Sequence, residues 1–336
     1  MEALQQLLFR TTPLDDMPVQ ADYRIKTYAI IDCASDEQHY KQLLSQALKH
    51  AILYKDEDAS NLESVAPYLI ELDEKHDYSQ WLMQEQWNTH SVIYLKSHYG
   101  LEPLAEHLRR YTKVIVEPRE NDNRNDETLA FFAFYDPRVL KNYLTVLTKE
   151  QMNEICQPVI SFSYEDKDLP DHLLTSYLSN TGEQWRTQVV AFKDVTIKER
   201  KAQNDTDNEQ TLDDDIEVPI TSVIFTVAQQ IQFDELQRKQ FCEQLLLDLQ
   251  GHYDVSTNDI DAAMLYSKEA DNNGLRSEAT QSRYILIGLL IQDSPVNKSK
   301  YLRQSLSLDV DEHARKKTLD KALEELSMHK EQAHVR

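Results

Sequence analysis

The sequence predicts an α/β amino-terminal lobe, with a mixed sheet flanked by helices, followed by a smaller all-α carboxy-terminal lobe. Short apolar runs alternate with amphipathic stretches through about residue 195, and the spacing of apolar residues beyond residue 218 is helical almost throughout. A length of 336 residues with 40% hydrophobic content is enough for a core in each of two domains.

Eight short apolar runs in the first lobe are predicted strands: Thr27–Ile31, Ala51–Tyr54, Tyr68–Leu72, Ser91–Leu95, Lys113–Val116, Leu129–Tyr135, Val159–Tyr164 and Thr187–Phe192. Amphipathic stretches between them predict helices at Tyr40–Leu48, Tyr78–Trp87 and Pro103–Arg110. This alternation favours a partly parallel sheet with a mixed or antiparallel end.

The stretch from Leu129 to Gln151 joins three predicted elements without a spacer. Leu129–Tyr135 is apolar on both alternating faces, which predicts a strand that is covered on both sides. Asp136 is an expected N-cap with Pro137 at the first helical position. A second short helix is expected at once, because Thr148 and Gln151 have the spacing of a capping box.

Four segments follow from this pattern: a tail at residues 1–22, the α/β domain at 23–195, an acidic linker or loop at 196–218 and a helical lobe at 219–330. The linker assignment depends on Asp205–Glu217, which holds seven acids and no base. In the last segment, the spacing from Phe233 to Leu249 predicts one long helix. Further helices are predicted at Ile260–Tyr266, Tyr284–Ile291 and Leu319–Leu326.

The composition restricts the classes of partner. A formal net charge of −22 argues against nucleic acid and anionic membranes as partners, and it fits either a basic or amphipathic protein partner or simple solubility. Three widely spaced cysteines predict reduced thiols rather than a disulfide framework. We find no secretory signal and no apolar run of membrane-spanning length, so a cytoplasmic protein that does not insert into membranes is expected.

Motifs for catalysis are not found in the sequence. The five glycines form no phosphate-binding loop, and the eleven histidines show no metal-ligand spacing, so we predict no catalytic residue, metal site or cofactor. Asp32 ends a predicted strand, where α/β enzymes often place a catalytic acid, but a helix cap or turn residue is the simpler interpretation.

Several segments together resemble the bacterial type VI secretion effector-chaperone family, the adaptors that load toxins onto the secretion spike. The resemblance lies in FYDPRVL and YLTVLTKEQ, with YAIIDCA, YLIELD, WLMQEQW, SVIYLKS and LAEHLRR in the family's order. It covers about the first half of the chain. Ala133 stands where the family usually has an arginine, and PRENDNRNDET replaces a glycine turn, so no role is carried over for that arginine.

The resemblance implies a non-catalytic adaptor, and we expect the free protein to be a monomer. Its expected partners are the amino-terminal, possibly membrane-inserting segment of a toxin effector and the spike tip protein VgrG. Exposed-looking aromatic and basic residues are the candidates for partner binding: Trp87, Arg109, Arg110, Tyr135, Arg138, Phe241, Tyr253 and Tyr284.

Two other functions stay open. Asp32, Asp136 and Arg138 could form the polar cluster of a hydrolase or nucleotidyl-type enzyme. An acidic surface could instead belong to an immunity protein that neutralises a basic toxin. Arg138 itself could bind a partner carboxylate or could pair internally with Glu71 or Asp73, and we favour the internal pair.

Overall fold

The computed structural model describes residues 2–10, 24–46, 48–55, 62–118, 128–179, 185–195, 224–295, 302, 306 and 311–334. The chain divides into two compact units, Met1–Phe233 and Asp234–Arg336. The first contains sheets flanked by helices and the second is helical, so the predicted fold class is confirmed. The proposed acidic linker at 196–218 lies outside the described residues.

Nine strands and six α-helices are described between residues 2 and 195. The strands are β1 Lys26–Asp32, β2 His50–Ile52, β3 Pro67–Glu71, β4 Val92–Ser97, β5 Lys113–Val116, β6 Thr128–Phe131, β7 Ser161–Tyr164, β8 His172–Leu178 and β9 Trp185–Ala191. The helices are α1 Glu2–Gln5, α2 Glu37–Leu44, α3 Asp77–Glu85, α4 Leu101–Arg109, α5 Pro137–Val146 and α6 Lys149–Cys156. A tenth strand, β10, is Ile224–Phe225.

Seven strands form one large sheet in the order β2-β3-β1-β4-β7-β8-β9. Every pairing in it is antiparallel, which differs from the expected partly parallel sheet. The expectation came from alternating strands and helices, but β5 leaves the large sheet instead of adding a parallel strand. Within the described residues, the one parallel pairing of strands joins β5 and β10. These two strands form a small sheet with β6, in the order β10-β5-β6.

Helices cover both faces of the large sheet. On one face, Ala29 and Ile31 of β1 share a core with Leu43 of α2 and Leu82 of α3. On the other, α4 packs against β2 and β3, and α6 packs against β8. Burial on both faces explains why the centre of β1, Tyr28–Ile31, carries apolar and aromatic side chains in succession.

The amino terminus is part of this core rather than a loose tail. A π-helical turn at Gln6–Arg10 follows α1, and Leu4 and Leu8 are buried against the large sheet. The segment predicted as a tail is therefore anchored over residues 2–10, while residues 11–23 lie outside the described ones.

The second unit is built from helices around one apolar core. Its helices are the later part of α7 (Val227–Leu249), α8 (Ile260–Asn272), α9 (Glu278–Ile291) and α10 (Glu312–His334). Tyr284 and Ile285 of α9 lie at the centre of the core, with Ala263 and Tyr266 of α8 around them. No helix in the described ranges is long and apolar enough to cross a membrane.

Candidate functional site

The small sheet exposes one apolar face. The register places Ile115 of β5 between Leu129 of β6 and Ile224 of β10, and Phe131 lies opposite Lys113. The exposed fractions are 60% for Leu129, 55% for Phe131 and 42% for Ile224. We call Ile115, Leu129, Phe131 and Ile224, together with Lys113, the outer face of the small sheet.

The opposite face of the same sheet is buried. Val114 and Phe225 point into the protein, where Phe225 lies 5.6 Å from Phe233 between ring centroids. Phe132, just after β6, packs edge-on against Tyr143 of α5 at 4.6 Å. These aromatic contacts fix the sheet by its inner side and leave Leu129 and Phe131 facing outwards.

This arrangement corrects the prediction for Leu129–Tyr135. The strand ends at Phe131 rather than Tyr135, and one of its faces is exposed. Phe132, Phe134 and Tyr135 are buried, but as a turn before α5 and not as a strand. A run of apolar residues is equally compatible with both conformations, because periodicity does not separate a buried strand from a buried turn.

Two side chains pack directly against Phe131. The ring of Tyr54, which follows β2, lies 5.4 Å from the Phe131 ring between centroids. The Lys113 ammonium lies 4.7 Å from the Phe131 ring centre, which is cation–π distance. The outer face therefore has a basic and a phenolic group beside its most exposed aromatic ring.

Tyr54 connects the outer face to the start of α5. Its hydroxyl lies 3.0 Å from the hydroxyl of Tyr135, and burial raises the pKa of Tyr135 well above its usual range. Tyr135 is buried, so its hydroxyl is held in a hydrogen bond inside the protein. A direct contact of Tyr135 with a partner would require this bond to open.

Asp136 begins α5, as the sequence predicts. One carboxylate oxygen accepts a hydrogen bond from the Arg138 amide at 2.8 Å, which satisfies a free donor of the first turn. The Arg138 guanidinium donates to the same carboxylate, with Nη2 at 2.6 Å from Oδ2. The expected pairing of Arg138 with Glu71 or Asp73 is wrong, because Arg138 turns back on its own N-cap and Glu71 pairs with Lys26 at 3.0 Å.

Asp32, at the end of β1, interacts electrostatically with Asp136 and Arg138. Burial raises the pKa of its carboxyl and the charge of Asp136 adds to this, while the Ala34 amide, His39 and Arg138 lower it. One Asp32 oxygen accepts a hydrogen bond from the Ala34 amide at 2.9 Å. Asp32 is therefore close enough to Asp136 and Arg138 to feel their charges, but the hydrogen bonds of both carboxylates are those of a turn and a helix start.

The remaining basic candidates make internal contacts. Arg109 donates from Nε to the Ile52 carbonyl at 2.9 Å and from Nη1 to Glu106 at 3.0 Å. Arg110 pairs with Glu154 at 3.5 Å. These bonds join the end of α4 to β2 and to α6.

The aromatic candidates differ in exposure. Trp87 is half-buried, packs on Phe192 and donates from its indole nitrogen to the Pro170 carbonyl at 3.1 Å. In the second unit, Tyr253 is exposed and Phe241 packs partly buried against the core. Tyr284 is completely buried, which contradicts its selection as a surface contact. It begins a run on α9, Tyr284 to Ile291, that has no polar side chain after Tyr284 on any helical face, so this part of the sequence indicates no exposed face.

Residues of the outer face were not among the sequence candidates. Leu129 and Phe131 were assigned to a covered strand, and Ile224 lies directly after a stretch outside the described residues. Leu129 and Phe131 are two positions apart, which is the spacing of one strand face. This spacing indicates that the two side chains share one face of a strand, but it does not show whether that face is covered or exposed.

A mixed-charge cavity of about 620 Å³ lies at the other end of β1. Its lining includes Lys26, Lys49, Glu71 and Asp73, and the Lys26–Glu71 ion pair lies in its wall. Charges of both signs line it, so it favours no single class of ligand. Within the described residues, no group of three or more histidine, cysteine, aspartate or glutamate side chains is arranged to hold a metal ion.

Comparison with known proteins finds one family that matches part of the chain. Residues 27–154 match the family model described as "Domain of unknown function (DUF4123)". The matched segment runs from the start of β1 to near the end of α6 and includes Tyr54, Phe131 and Asp136. No curated protein and no solved structure matches the chain at a significant level.

Proposed function

We propose that the protein is a non-catalytic adaptor of bacterial type VI secretion. It holds the amino-terminal region of a toxin effector, keeps an apolar segment of that region in solution and promotes its loading onto the spike tip protein VgrG. It acts in the cytoplasm of the producing cell. Support comes from the sequence motifs that resemble effector chaperones and from the match of residues 27–154, which contain most of the outer face.

The exposed apolar side chains of the outer face carry the proposal. Leu129 and Phe131 are more than half exposed in a chain whose net charge is −22. An apolar patch of this kind is a typical protein interaction site, and burial releases roughly 25 cal/mol per Å² of apolar surface. The outer face would form the apolar centre of a protein interface. Such interfaces usually bury about 800 Å² of surface on each partner.

The surroundings of the patch suit an amphipathic rather than a purely apolar segment. Tyr54 and Lys113 flank Phe131 and can donate hydrogen bonds or attract an acidic side chain at the rim of the interface. An apolar effector segment that is bound here is withdrawn from water and from the membranes of the producing cell.

A matched pair of variants tests this role. Phe131→Asp places a charge in the outer face, and Leu44→Asp places the same charge on α2, where Leu44 is 56% exposed compared with 55% for Phe131. We expect coexpression with the effector's amino-terminal region to give soluble effector with the wild type and with Leu44→Asp, and at least tenfold less with Phe131→Asp. Equal soluble yield with all three proteins would refute the proposal.

The immunity-protein alternative makes a different prediction about salt. An acidic protein that neutralises a basic toxin should lose affinity steeply when the salt concentration rises from about 50 to about 500 mM, because salt screens the attraction between exposed charges. Burial of apolar surface predicts affinity that changes little over that range. Titration of the effector at both salt concentrations distinguishes the two functions.

A further inference from the structure

The strand β9 ends the large sheet with an open edge. It runs for seven residues with unbroken register against β8, from Leu178 opposite Trp185 to His172 opposite Ala191. Within the described residues, β9 pairs with β8 alone. It contains no proline, its regular register leaves no room for a bulge, and Arg186 is its one charged residue. Natural sheets usually protect an edge of this length with prolines, bulges or charged side chains, and here only Arg186 does so.

The side chains in the middle of β9 are exposed on both faces. Four consecutive residues, Arg186 to Val189, are exposed, and Val189 is exposed by 48%. Consecutive residues of a strand point to opposite faces. Neither the helices nor the loops of the described chain therefore cover this part of the edge.

The hydrogen-bond pattern shows which backbone groups point outwards. The Phe192 amide donates to the Asp171 carbonyl at 2.9 Å, so Asp171 and Phe192 form a hydrogen-bonded pair. In antiparallel strands, such pairs alternate with pairs that do not bond to each other. Gln188 and Val190 therefore bond to β8, whereas Thr187 and Val189 direct their N–H and C=O groups to the open side.

The charges around β9 indicate what kind of strand fits there. Asp171, Lys193 and Asp194 are exposed near its Ala191 end, which leaves one net negative charge there, and Arg186 is exposed towards the other end of the strand. A second copy of this chain would bring another net charge of −22 to the same edge, which disfavours self-pairing. A different protein, with an extended segment that carries a basic residue beside Asp171 and Asp194, is favoured.

The position of β9 separates it from the outer face of the small sheet. Tyr54, which packs on Phe131, follows β2, and β2 and β9 are the two ends of the seven-stranded sheet. Six strand spacings of about 4.8 Å place these strands roughly 29 Å apart. Two partners can therefore bind at the same time without competing for surface.

We propose that the open edge of β9 binds an extended, basic segment of the spike tip protein by strand addition. The inference rests on the proposed function, because it assigns the second contact of an adaptor whose first contact is the effector. Main-chain bonds to Thr187 and Val189 supply the affinity, and the acidic residues at the Ala191 end fix the direction of the segment.

The test uses a proline that removes one outward donor. Val189→Pro deletes an N–H that does not bond to β8, so the β8–β9 pairing is kept, whereas Val189→Thr keeps the donor and a β-branched side chain. With purified VgrG from the same cells, we expect at least tenfold weaker binding for Val189→Pro and less than a twofold change for Val189→Thr. Both variants should bind the effector's amino-terminal region as the wild type does.

Hydrogen exchange of the wild type provides a second measurement that does not depend on folding of a variant. Amides in the 185–191 fragment should exchange more slowly once VgrG is bound. Unchanged exchange there, or wild-type affinity of Val189→Pro for VgrG, would overturn the strand-addition proposal and leave the adaptor function intact. A wild-type protein that binds neither effector nor VgrG would overturn the adaptor function itself.

Discussion

The ring of Tyr54 packs against the ring of Phe131, with centroids 5.4 Å apart, and joins the end of β2 in the large sheet to β6 in the small one. The Tyr54 hydroxyl also lies 3.0 Å from that of Tyr135, just before α5. One half-buried side chain thus links the outer face of the small sheet to the start of α5. The orientation of the outer face depends on this link.

We expect Tyr54→Ala to destabilise the protein by about 1–3 kcal/mol, because a ring contact and a buried hydroxyl partner are both lost. Tyr54→Phe should cost only about 1 kcal/mol, since it keeps the ring. A double-mutant cycle with Phe131→Ala, measured by urea unfolding, should give a coupling of about 0.5–1.5 kcal/mol. Additive effects would show that the two rings do not interact.

The N-cap of α5 gives a second prediction. Asp136→Ala should lower the free energy of unfolding by about 1 kcal/mol, because the Arg138 amide loses its acceptor. Asp136→Asn keeps a capping oxygen and should cost less. The exposed Arg138 ion pair adds little to this difference, since surface pairs are worth 0 to about 1 kcal/mol. Equal loss in both variants would contradict the capping role and favour the charge.

The buried side chain of His107 makes the free energy of unfolding depend on pH. Its Nε2 donates to the Ile155 carbonyl at 3.1 Å, and burial lowers the pKa of His107 to about 4. The unfolded chain, with a histidine pKa of about 6.5, takes up a proton first, so stability that is present above pH 6.5 is lost as the pH falls to about 4. Thermal unfolding at pH 7, 5.5 and 4.5 should show this loss, and His107→Gln should reduce the slope. An unchanged slope in the variant would assign the pH dependence to other groups.

Replacement of Gly288 in α9 by alanine should destabilise the protein, although alanine usually favours a helix over glycine. A Cβ atom at this position would lie 2.7 Å from the ring of Tyr266, so Gly288→Ala forces the ring to move and should destabilise the second unit by about 1–3 kcal/mol. In a Tyr266→Ala background the same change should become neutral or stabilising, because alanine favours a helix over glycine by about 1 kcal/mol. Calorimetry of the four proteins checks the reversal of sign.

Local signals in the sequence were reliable where the interacting residues are neighbours in the chain. Asp136 caps α5, and Thr148 with Gln151 forms the predicted capping box of α6. The predicted partner of Arg138 was wrong, because the choice between Asp136 and a carboxylate on a distant strand depends on side-chain geometry. The exposure of Phe131 and the burial of Tyr284 also escaped prediction, since both depend on which distant elements cover a strand or helix.

Photo-crosslinking at position 131 tests the central claim most directly. A p-benzoylphenylalanine in place of Phe131 reports which polypeptide touches the outer face in the native cells, and the same probe in place of Leu44 is the matched control. We predict that position 131 crosslinks to the amino-terminal region of a toxin effector and that position 44 does not. Crosslinks to the effector from position 44 alone, or from neither position while the effector copurifies, would contradict the assignment of the outer face as the effector-binding surface.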